Sequence, residues 1–108
     1  VNETDGLPLF AHEATTGHRK AAEEWMREHP EAMALFHNLA RQAASRGRKF
    51  GVKLLAERVR WEFSIARNDE EFKINNNHTA YIARALVASN PTLRGLLEFR
   101  RTISEDNQ

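Results

Sequence analysis

Apolar residues recur at intervals of three and four along most of the chain, the signature of helices with one buried face. The clearest run predicts a helix over about 30–46, where Ala32, Leu35, Phe36, Leu39 and Ala43 share a side and His37, Arg41 and Ser45 fall opposite. Pro30 suits the first helical position, and Gly47 suits the C-terminal cap. Upstream, Ala22, Trp25, Met26 and His29 line one face of a helix predicted from about Thr16 to Glu28. Pro30 ends it, because a residue before proline is pushed out of helical geometry. A third helix is predicted over 52–66, with Leu55, Val59, Phe63 and Ala66 as its main stripe and Trp61 and Ile65 beside them. Asn68-Asp69 stops it. A fourth, over 78–89, turns Ile82 and Leu86 inward and ends before Asn90-Pro91.

Between these runs the polar residues are as informative. Asn75, Asn76 and Asn77 stand together, and asparagine competes with the backbone for hydrogen bonds, which favours turns and N-caps over element interiors. They mark the start of the fourth helix. Just before them, Phe72 and Ile74 alternate as on a short strand. Lys49–Val52 suits another short extended piece, and Leu93–Phe99 reads as either a strand or a helical turn. Gly6, Pro8 and Thr15-Thr16-Gly17 interrupt any period near the start. The expected organisation is a flexible arm at 1–15, one helical domain at 16–103 and a disordered tail at 104–108. The expected fold class is mainly α: a four-helix domain, helix-turn-helix-like or winged-helix-like if short strands at Lys49–Val52, Phe72–Asn75 and Leu97–Arg101 form a minor sheet.

Composition adds three limits. With 108 residues the chain suits one domain with a modest core. It has no cysteine, which removes disulfides and thiolate metal sites and fits a cytoplasmic setting. No apolar run approaches the roughly 20 residues of a membrane span, and the acidic, polar start VNETDGLPLF does not read as a signal peptide. The net charge of +1 is unevenly spread. Residues 1–45 hold four Lys or Arg against seven Asp or Glu, whereas residues 46–101 hold twelve against six. A basic half is a footprint of nucleic-acid binding, and equally of an ordinary solvated surface.

On a helical wheel at 100° per residue, Asn77, Ala80, Tyr81, Arg84, Val87 and Ala88 gather on the side of the fourth helix away from Ile82 and Leu86. An amide, a phenol and a guanidinium separated by small residues suit a groove of DNA: Asn pairs with adenine and Arg with guanine. Asn76, Asn77, Tyr81 and Arg84 are therefore candidate base readers, and Arg46, Arg48, Lys49 and Lys53 candidate phosphate contacts. The opposing reading packs the same face on the first helix. The connection at about 67–77 is longer than the three or four residues of a simple helix-turn-helix.

Catalytic and metal constellations are not apparent. The histidines His12, His18, His29, His37 and His78 lack ligand spacing. Asn77-His78 matches an HNH nuclease by letters alone. No phosphate loop, nucleophile elbow or carboxylate pair stands out. Trp25, Trp61 and the phenylalanines sit on apolar stripes and read as core. No cofactor is expected.

The motifs R-x-R-W-E at Arg58–Glu62, F-K-I-N-N-N at Phe72–Asn77, Y-I-A-R at Tyr81–Arg84, Asn90-Pro91 and L-L-E-F-R at Leu96–Arg100 together resemble a family of small uncharacterised proteins of bacteria, phages and prophages. The resemblance covers roughly residues 30–102. It implies an intracellular, mobile-element setting and carries over no catalytic or binding residue. The expectation is a non-enzymatic binder of double-stranded DNA. The alternative is a protein–protein module, a homodimer or a binder of a host protein, that uses the apolar part of the same face or the first helix with Trp25 and Met26.

Overall fold

Among the described residues, four α-helices and one pair of two-residue strands form the fold, mainly helical as the periodicity predicts. The computed structural model describes the backbone of residues 7–98 and the side chains of residues 17–98. In chain order these are α1 (Leu7–Glu28), α2 (Pro30–Ser45), β1 (Phe50–Gly51), α3 (Val52–Arg60), α4 (Thr79–Ser89) and β2 (Leu97–Glu98). A π-helical turn, Trp61–Ala66, continues α3 without a break, and 3-10 turns at Asn76–His78 and Pro91–Leu93 flank α4.

The helix boundaries follow local chemistry. Pro30 opens α2. Gly47 closes it in the left-handed region at φ 67°, and its N–H donates to the Ala44 carbonyl. Asn68, at φ 55°, ends the π turn, and the Asp69 N–H reaches back to the Phe63 carbonyl. The asparagine run does mark the entry to α4: the Asn75 side chain caps the 3-10 turn by accepting from the Asn77 N–H at 2.8 Å.

Phe36, Val59, Ile82, Leu86 and Leu93 are fully buried where α2, α3 and α4 meet, and Trp25 joins them from α1. β1 and β2 pair in parallel, Phe50 with Leu97 and Gly51 with Glu98. Parallel strands need a long crossover, and here it is the whole of α3 and α4.

Three expectations change. The helix expected from Thr16 begins at Leu7. Pro8 lies in the first turn, where its missing N–H costs no helical hydrogen bond. The expected strand at Phe72–Asn75 is not formed, although Phe72 and Ile74 are both buried. Its backbone is held instead by side chains: the Trp25 indole N–H donates to the Lys73 carbonyl at 2.9 Å, and Arg60 to that of Ile74 at 3.3 Å. With that strand missing and the remaining pair parallel, the described residues contain no antiparallel hairpin of the kind that makes a wing. The tail at 104–108, and Phe99–Arg101, lie outside the described residues.

Candidate protein-interaction face

The residues expected to read DNA do not form one open face. Asn76 and Asn77 are exposed in the 3-10 turn, but Tyr81 is buried, 7% exposed. Arg84 is half-buried, its guanidinium 4.9 Å from the centre of the Tyr81 ring. The cause is coverage: α4 packs on α1, α2 and α3 at once, so Tyr81 and Ala83 are buried together with Ile82 and Leu86. The Tyr81 ring is therefore not part of an open face. Arg46, Arg48, Lys49 and Lys53 are all exposed, along the α2–β1 connection and in the first turn of α3. They therefore belong to a different part of the fold from the asparagines.

The most exposed large apolar side chains lie elsewhere. Leu54, Trp61 and Ile65 are 65%, 57% and 58% exposed, all on α3 and its π extension. Trp61 was expected in the core, and its exposure corrects that. The opposite side of the same helix explains it: Val52, Leu55, Ala56, Val59 and Phe63 already fill the inward face. At 100° per residue Trp61 lies about 20° from Leu54, and Arg58 about 40° on the other side of it. A π turn closes one residue later than an α turn, so Ile65, four residues beyond Trp61, stays beside it. The three apolar side chains and Arg58 thus form one outward stripe. Glu57 borders it on one edge and Glu62 on the other.

Aromatic contacts and ion pairs underlie this stripe. The Phe63 ring stacks on Phe72, centroids 4.7 Å apart, and Phe72 meets Trp25 edge-on at 6.0 Å. Trp25 stacks on His29, whose Nδ1 lies 2.8 Å from the Trp25 carbonyl. Arg67 covers the other face of Phe63, 4.3 Å from its centroid. Its guanidinium donates to Glu31 on α2 at 2.6 Å and to Glu62 in the π turn at 3.3 Å. The Arg67 N–H also reaches the Glu62 carbonyl, the five-residue closure that makes the turn π-helical. π turns concentrate at functional sites. This one holds Trp61 and Ile65 on the outside while Phe63 anchors the inside.

The sequence carried a signal for this face. Leu54, Trp61 and Ile65 follow spacings of seven and four, beside a second stripe already long enough to supply the core. Among the described residues no group of His, Asp or Glu could hold a metal ion, and no helix is long and apolar enough to cross a membrane.

No protein-family model matches the chain, and no curated protein or solved structure shows significant similarity to it.

Proposed function

We propose that the protein is a non-enzymatic interaction module that binds protein through the outward face of α3 and its π extension. The observation that carries this reading is the alignment of Leu54, Trp61 and Ile65, each more than half exposed, on one face. Single exposed apolar residues are ordinary on any surface; three large ones in a row, with an arginine among them, have the composition of an interface centre. Trp and Arg are also the residues that most often dominate binding energy.

A photoreactive phenylalanine analogue at position 65 tests this in expressing cells. The expected result is a covalent adduct with protein. Irradiation that yields no protein adduct from position 65 or position 54 overturns the reading.

A second reading, binding of duplex DNA, is supported by the four exposed cations Arg46, Arg48, Lys49 and Lys53. On this reading binding is backbone-directed and weakly sequence-selective, because phosphate contacts position a protein without specifying bases. Affinity should then fall steeply with salt, and R48A/K49A should flatten that dependence. An absence of binding to duplex at low salt removes this reading.

A further inference from the structure

The stripe on α3 is self-complementary when reversed. Its members Leu54, Arg58, Trp61 and Ile65 are spaced four, three and four residues apart, and that order of spacings is the same read from either end. We infer that a second copy of this chain covers the face, with α3 packed antiparallel on α3 about a twofold axis at the level of Val59 and Arg60. This rests on the interaction-module reading and names its partner.

In that arrangement Leu54 lies opposite Ile65 of the partner subunit, and Ile65 opposite the partner's Leu54. Arg58 lies at the level of the partner's Trp61, and both side chains are long enough to meet across the stripe; a guanidinium on an indole is the most favourable cation–π pair among side chains. Charge agrees with shape. Matching edges meet in an antiparallel pair related by a twofold, and Arg58 and Glu62 border the same edge. Arg58 therefore comes within one residue of the partner's Glu62. One oxygen of Glu62 already accepts from Arg67, and the carboxylate has further lone pairs for a second donor. Among the described residues Arg58 has no ion pair within its own chain. The contact spans about three helical turns, small for an obligate dimer, so association should depend on concentration.

The chain has no cysteine, so introduced ones report cleanly. L54C and I65C are made separately, mixed and oxidised. The expected product is the mixed 54–65 disulfide. Like positions would sit eleven residues apart along the antiparallel pair, about 16 Å, too far for a disulfide. Sedimentation equilibrium of the parent should show a species of twice 12.4 kDa that grows with concentration. W61A should weaken it about tenfold or more, and R58E should weaken it while R58E/E62R recovers part of the loss. Predominant 54–54 or 65–65 disulfides, or a parent that stays monomeric at all concentrations, overturn the inference. A monomeric parent that still forms an adduct with a different protein at position 65 removes the self-pairing and leaves the interaction module. Absence of any protein adduct removes both.

Discussion

Asn75 shows how much one side chain contributes to this architecture. Its amide oxygen accepts the Asn77 N–H and thereby sets where the chain turns into α4. Asn75→Ala should cost about 1 kcal/mol of unfolding free energy, the usual loss of an N-cap, measurable by urea denaturation. Trp25 acts across a longer span: its indole N–H holds the Lys73 carbonyl in a segment without strand partners. Trp25→Phe keeps an aromatic ring and removes that donor, so a loss of about 1 kcal/mol is expected from the hydrogen bond, with a further contribution from packing. His78 is buried, and among the described residues its Nδ1 has no hydrogen-bond partner. Burial first, and the charge of His18 second, hold its pKa below the ordinary histidine value. In the unfolded chain the imidazole takes up a proton near pH 6.5, in the folded chain only at lower pH. Within that window the unfolded chain binds more protons, so the contribution is complete above about pH 6.5 and is lost as the pH falls. His37, lowered by burial and then by Arg41, acts in the same direction. Urea midpoints at pH 7.5 and 5.5 should differ more in the parent than in His78→Gln; an equal or larger difference in the variant argues against this role.

At the scale of elements, α3 is the helix with two apolar sides, and the two sides should respond differently to substitution. Leu55→Ala empties a buried position and should cost about 2–5 kcal/mol. Leu54→Ser, one residue earlier, changes an exposed position and, at concentrations where the chain is monomeric, should alter stability by less than about 0.5 kcal/mol. Chemical denaturation of both variants checks the assignment, and a large loss for Leu54→Ser would place that side chain in the core. The contrast also shows why this helix was hard to read. Its apolar residues extend beyond one stripe, and periodicity alone assigned Trp61 and Ile65 to the flank of the core. The π turn then determines where they point, and it forms because Phe63 stacks on Phe72 and Arg67 bridges to Glu31. Phe72 and Glu31 are distant in sequence from the turn they shape.

For the whole molecule, the open surfaces determine what can bind. Contact of α4 with three helices buries Tyr81, whereas among the described residues the α3 stripe and the basic α2–β1 connection are open. If self-pairing fills the stripe, the same association that buries Trp61 should stabilise the fold by mass action, so thermal midpoints should rise with protein concentration, beginning at lower concentration for the parent than for W61A. The helical class, the extents of α2 and α4, the stops at Gly47 and Asn68 and the asparagine boundary were all legible in the sequence by itself, because each depends on residues within a turn or two. The unpaired course of Phe72–Asn75, the parallel β1–β2 contact, the burial of Tyr81 and the exposure of Trp61 were decided only by tertiary structure. Each depends on which face a distant element covers, and local periodicity records that a side chain is apolar, not what is packed against it.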